Sequence, residues 1–145
     1  MNQDFVELLR AFSDHNVRYL IVGAYALGVH GRPRATGDLD VWVDPTPANA
    51  ARVMAALKLF GAPLGQVTES DFGRPGVVFQ MGLPPVRIDV LTELSGLTFD
   101  EAWPGRIRAP FGPVTAEVIG RDAFIRNKRA TGRLKDLGDI ESLGE

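Results

Sequence analysis

The sequence predicts an α/β (α+β) domain, a mixed β-sheet flanked by helices, and three observations carry that expectation. Short β-branched and aromatic runs alternate with stretches whose apolar residues recur at helical spacing. Helix-start and helix-stop residues separate them at the right places. One strand candidate, Gly37-Asp38-Leu39-Asp40-Val41-Trp42-Val43, keeps an apolar face while holding two acids on the other. Helices and strands interleaved in this way make a layered single-core domain, expected to span residues 1–145 as one unit.

Residues 4–15 read as an amphipathic helix on Phe5, Leu8, Leu9 and Phe12, with Asn16 able to end it. Val17-Arg18-Tyr19-Leu20-Ile21-Val22 reads as a buried strand. Gly23-Ala24 turns the chain into a short helix over residues 25–30, stopped by Gly31 and Pro33. Residues 32–37 form a polar loop leading to the strand of Asp38 and Asp40. Asp44-Pro45-Thr46-Pro47 then supplies an N-cap in Thr46 and a first-turn proline in Pro47. That helix runs to about Phe60, burying Val53, Met54, Leu57 and Phe60, with Gly61 as its C-terminal cap. After a loop rich in Gly and Pro, strands at 77–81 and 86–91 are joined through residues 82–85. A short helix near 99–103 precedes a hairpin, 107–109 with 113–118, turning at Phe111-Gly112. Two helices close the chain, 121–130 and 134–143, separated by Thr131-Gly132; Leu134, Leu137, Ile140 and Leu143 fall on one face of the last.

Composition narrows the chemistry. The 145 residues include no cysteine, which excludes disulfides and thiolate metal sites. Only His15 and His30 offer imidazole, so a bound metal would rest mainly on carboxylates. No apolar run approaches the ~20 residues of a membrane span, and Asp4 and Glu7 stand where a signal peptide would be basic, so a cytoplasmic protein without a membrane partner is expected. The net charge of −2 is unevenly spread: from Arg106 to Lys135 eight basic residues face Glu117 and Asp122, a local +6 against about −8 elsewhere. Such polarity suits a polyphosphate or a nucleic acid, and equally a helix with a solvated basic face.

The candidate chemistry lies in the acids. Side chains alternate along a strand, so Asp38 and Asp40 share a face about 6.5–7 Å apart. Mg²⁺ takes oxygen ligands, often one or two carboxylates plus substrate phosphates. In Val86-Arg87-Ile88-Asp89-Val90-Leu91, Asp89 is the lone acid of an apolar strand. If the two strands are neighbours, three carboxylates converge, raising one another's pKa unless a cation neutralises them. Two such ions about 3.5–4 Å apart stabilise both attacking and leaving oxygens in phosphoryl or nucleotidyl transfer. Asp89 is alternatively an acid paired with Arg87 or Arg18. Upstream, Gly23-Ala24 opens a helix where backbone N–H groups can approach a phosphate, although any tight strand-to-helix turn favours glycine.

Together, Gly23-Ala24-Tyr25-Ala26, His30-Gly31, Pro33-Arg34-Ala35-Thr36, Gly37-Asp38-Leu39-Asp40 and Arg87-Ile88-Asp89-Val90-Leu91 resemble the polymerase-β-type nucleotidyltransferase superfamily. The branch they look like is that of small bacterial proteins related to AbiEii-like toxins. Lys128-Arg129-Ala130-Thr131-Gly132-Arg133-Leu134-Lys135-Asp136, with Asp139 one turn on, matches that branch's Lys…Arg-x-Lys-Asp-x-x-Asp pattern. The resemblance implies a nucleotidyltransferase fold in which Asp38, Asp40 and Asp89 bind Mg²⁺, one or two ions, with Mn²⁺ as a substitute. Asp89 would also act as base toward an acceptor hydroxyl. Gly23 and Ala24 would offer backbone to the triphosphate, Lys128 would meet a phosphate, and Arg133 and Asp136 would organise the nucleotide. Lys128 as a solvated base, and Asp136 and Asp139 as exposed acids, are the plainer readings. The family more often has Gly-Gly at Gly23-Ala24, and a serine where this chain has Gly37.

The implied activity is Mg²⁺-dependent transfer of a nucleoside monophosphate from an NTP such as ATP to an acceptor hydroxyl. RNA or tRNA, or a protein, is the expected acceptor, with a toxin role and a cognate antitoxin in view and no DNA. The alternatives are a catalytically impaired binding or regulatory module of the same fold, and an antibiotic-modifying nucleotidyltransferase. His30 is expected to be a satisfied, half-buried histidine, and Tyr25 and Trp42 core residues rather than base-stacking ones.

Overall fold

The computed structural model describes residues 2–31, 37–83 and 86–144. The motif residues Pro33, Arg34, Ala35 and Thr36, and most of the expected loop 32–37, lie outside them. The elements run α1 (Gln3–Asp14), β1 (Tyr19–Val22), α2 (Gly23–Val29), β2 (Asp38–Val43), α3 (Pro47–Phe60), β3 (Val78–Met81), β4 (Arg87–Leu91), α4 (Phe99–Ala102), β5 (Ile107–Phe111), β6 (Val114–Val118), α5 (Arg121–Thr131) and α6 (Leu134–Ser142). Short 3₁₀ turns occupy Glu69–Gly73 and Trp103–Gly105.

The six strands form one mixed sheet in the order β3-β4-β2-β1-β6-β5. β2 pairs parallel with β4 and β1 parallel with β6, while β1–β2, β3–β4 and β5–β6 are antiparallel. One face, bearing Tyr19, Ile21, Leu39, Val41, Val43, Ile88 and Val90, is buried. Phe12 of α1 meets Tyr19 edge-on at 5.6 Å between ring centroids. On the other face Trp42, 1% exposed, packs edge-on against Phe99 of α4 at 5.2 Å.

Local chemistry explains the clearest boundaries. Thr46 Oγ1 accepts the Asn49 N–H at the start of α3, Pro47 fills its first turn, and Gly61, at φ +91°, closes it. α2 begins at Gly23, two residues earlier than the apolar spacing predicts, with Gly23 at φ +70° where the strand turns into the helix. The 3₁₀ turn at Glu69–Gly73 stands where the sequence predicts only loop; a capping box between Thr68 and Asp71 and the burial of Phe72 hold it.

The last helix departs most from expectation. Of the four residues on its apolar face, Ile140 is buried, but Leu134 is 89% exposed and Leu137 47% exposed. Asp136 and Asp139 are buried instead, so the plainer reading of them as exposed acids is corrected. The reason lies in α5, which presents a buried cation to this helix.

Candidate active site

The parallel pairing of β2 with β4 sets Asp40 directly beside Asp89 and Asp38 beside Arg87. Neighbouring strands lie about 4.8 Å apart, so the three acids occupy one patch of one face. On the other side of β2, Val22 pairs with Asp40, and the chain turns into α2 at the next residue. Gly23 therefore passes directly over the acid: a Cβ built there would collide with Asp40 Oδ2. Glycine is needed at this point for both the positive φ and the close approach. Ala24 lies one residue inside α2; Asn16 is the one non-glycine residue with positive φ among the described residues, so alanine at 24 carries no backbone strain. Gly37 heads β2, its carbonyl accepting the Arg87 N–H at 3.4 Å.

The electrostatics are those of crowded anions. Burial, then the charge of Asp89, then that of Asp38, push the Asp40 carboxyl from 3.8 up to about 6, with Arg87 opposing. Arg87 lies between the other two acids, its Nη2 3.0 Å from Asp38 Oδ2 and its Nε 3.2 Å from Asp89 Oδ1. Asp89 is 7% exposed, and its Oδ1 accepts no well-directed hydrogen bond despite that proximity. Among the described residues no group of three or more acidic or histidine side chains is arranged to hold a metal ion as the side chains stand. The Arg87 guanidinium spans Asp38 and Asp89. The donor set itself fits a hard cation: three carboxylates on one face, one with a buried oxygen short of hydrogen bonds.

Lys128, Arg133 and Asp136 assemble into a separate network. Asp136 is fully buried and receives Arg133 Nε at 2.7 Å, Thr131 Oγ1 at 2.7 Å and Lys128 Nζ at 3.3 Å. Those partners, Arg133 first, hold its carboxyl well below the usual range. Lys128, 7% exposed, also meets Asp139 Oδ2 at 3.6 Å and lies 5.4 Å from the centre of the Phe124 ring. Phe124 in turn contacts His30, whose Nε2 is 2.8 Å from the Ile119 carbonyl. His30 is thus the satisfied, half-buried histidine expected. Lys128 is no solvated base; it is neutralised within the fold by two acids.

Four further bases of the segment also have partners within the fold. Arg106 and Arg108 meet Glu117, at 3.3 and 2.9 Å, Arg126 meets Glu101 at 3.0 Å, and Arg121 donates to the Leu143 carbonyl at 2.7 Å. Tyr25 packs between Phe5 and Phe111, and Trp42 is core, as expected. Two site residues escaped the sequence reading. Thr131, read only as a helix separator, is a ligand of Asp136; the period of α5 carried no sign of it. Gln80 lies opposite Asp89 across β3–β4, and the alternation of Val78-Phe79-Gln80-Met81 was the available signal.

No protein-family model and no curated protein matches the chain. Solved structures do. The lincosamide antibiotic adenylyltransferase LnuA, bound to lincomycin, is similar with a TM-score of 0.61 at 13% identity, over 100% of this chain and 97% of its own. The antibiotic-resistance factor ANT(2'')-Ia gives 0.63 at 14%, over 97% and 80%. A protein of Thermotoga maritima assigned as a nucleotidyltransferase gives 0.59 at 12%, over 99% and 92%. At these identities the likeness establishes a shared architecture: the chain has the nucleotidyltransferase fold.

Proposed function

We propose that this protein is a Mg²⁺-dependent nucleotidyltransferase, moving a nucleoside monophosphate from an NTP to the hydroxyl of an acceptor. The observation that carries the reading is the β2–β4 register, which aligns Asp40 with Asp89 and sets Asp38 two residues along. A structural role does not require three acids on one face, one of them raised to about 6 by burial and by the others. The fold it shares with adenylyltransferases supports the same chemistry.

Asp38, Asp40 and Asp89 would hold the divalent ion or ions, which offset charge on the triphosphate and on the departing pyrophosphate. Arg87 must release Asp38 and Asp89 when that happens, and its guanidinium is then free to face phosphate oxygens. Gly23 leaves the space above Asp40 clear for the triphosphate. Asp89 accepts the proton of the acceptor hydroxyl as its oxygen bonds to the α-phosphorus. The bond from that phosphorus to the bridging oxygen breaks, and pyrophosphate leaves with the electron pair. Lys128, Arg133 and Asp136 brace α5 against α6, and through Phe124 and His30 that brace bears on the end of α2.

Ion pairs with Glu101, Asp136 and Asp139 offset part of the basic segment's charge and weaken the argument for RNA as the acceptor. The one similar structure described with a bound small molecule, the lincosamide adenylyltransferase with lincomycin, favours a small molecule. Titration calorimetry tests the core of the reading: Mn²⁺ with a non-hydrolysable NTP analogue should bind the wild type. Asp40→Asn and Asp89→Asn should each weaken binding at least about tenfold, the scale of one lost charged ligand. Equal affinity in all three proteins would contradict it.

A further inference from the structure

The row of side chains that contains Asp40 and Asp89 does not stop at β4. Gln80 of β3 is the antiparallel partner of Asp89, so Val22, Asp40, Asp89 and Gln80 follow one another across four strands. Directly opposed residues in such pairs have Cβ atoms about 4.5–5.5 Å apart on the same face. β3 is the last strand of the sheet, and beyond it lies a groove of about 960 Å³. Pro63, Gln66 and Val67 line one side, and Val78, Phe79 and Gln80 the other. Its volume is that of a site for a drug-sized molecule.

The lining is informative for what it contains and for its charge. Two carboxamides face apolar side chains, and no charged residue lines the groove among the described residues. A polyanion such as RNA would require cations there, and a polycationic sugar would require acids. Carboxamides both donate and accept, which suits hydroxyl and carbonyl groups, while Pro63, Val67 and the 58%-exposed Val78 suit an apolar portion. We infer that the groove between residues 63–67 and β3 binds the acceptor, an uncharged hydroxyl-bearing small molecule, and that Gln80 orients its hydroxyl toward Asp89. The inference rests on the nucleotidyl-transfer reading for its acceptor role. The groove and its preference for neutral ligands rest on geometry alone.

The test uses the full chain and has two arms. In the first, the side-chain amide resonances of Gln66 and Gln80, assigned from the Gln66→Ala and Gln80→Ala variants, are followed by NMR. A panel of neutral alcohols and glycosides, phenyl β-D-glucoside among them, is added in parallel with a polycationic aminoglycoside and with tRNA. Neutral compounds should shift both resonances, and Gln80→Ala should weaken the best of them by about fivefold, the scale of a lost neutral hydrogen bond. In the second arm, label on the α-phosphate of each NTP should pass to that compound with Mg²⁺ present. Gln80→Ala should reduce this transfer while leaving Mn²⁺–nucleotide affinity unchanged. A groove that responds to the aminoglycoside or tRNA and to no neutral compound overturns the inference. Neutral binding at both glutamines with no transfer, and no nucleotide binding by calorimetry, overturns instead the reading on which the acceptor role depends.

Discussion

Asp40 and Asp136 show how differently two carboxylates of one chain can be used. Asp40 is raised from 3.8 to about 6 by burial and by its acidic neighbours, so the metal-free folded state holds a proton that the unfolded chain has lost. Between those two values the native state binds more protons, and stability must fall as pH rises. Melting temperature measured in chelator should therefore decline across that window, and Asp40→Asn should flatten the decline. Asp136 has the opposite sign. Its lowered carboxyl stabilises the fold above the ordinary carboxylate range, and that contribution is lost as pH falls below it. Asp136→Asn leaves Lys128 buried with weaker pairing and should cost about 3 kcal/mol or more in denaturant unfolding. A cost under about 1 kcal/mol would return Asp136 to a role at the nucleotide. The residue types at both positions were legible in the sequence. Their surroundings were not, because an i, i+2 spacing fixes a face and says nothing about which strand or helix comes to lie on it.

Among the elements, those set by local chemistry were legible and those set by partners were not. α3 begins and ends where Thr46, Pro47 and Gly61 place it, and β2 spans Asp38–Val43 as its alternation predicts. α6 defeats the same reasoning. Its leucines repeat at helical spacing, yet the helix turns its acids inward because Lys128 on α5 must be paired, and a buried unpaired ammonium costs more than two exposed leucines recover. Substituting Leu134 by Lys or Leu137 by Gln should thus change stability by no more than about 0.5 kcal/mol, as at ordinary surface positions. Ile140→Ala, at 6% exposure on the same helix, should cost about 2 kcal/mol or more. Comparable losses at Leu134 and Ile140 in thermal unfolding would mean that the leucine face is buried.

At the scale of the molecule, the sheet order β3-β4-β2-β1-β6-β5 is what turns three acids scattered from residue 38 to residue 89 into one patch. Sequence spacing gave the face of each strand; only the parallel β2–β4 pairing, formed across the intervening α3 and β3, made the faces coincide. The same order puts β3 at the edge, where the acid row runs out into an uncharged groove. The basic segment that suggested RNA folds into local ion pairs with Glu101, Glu117, Asp136 and Asp139, two of which lie beyond the segment's own ends on the C-terminal side.

The most direct measurement is transfer of label from each of the four α-labelled NTPs, with Mg²⁺, into the small-molecule, RNA and protein fractions of a bacterial extract, with Asp40→Asn run alongside. Label that enters the small-molecule fraction and disappears in the variant is the predicted result. Label in no fraction, or label that Asp40→Asn leaves unchanged, would contradict the assignment of the Asp38–Asp40–Asp89 patch as the reaction centre.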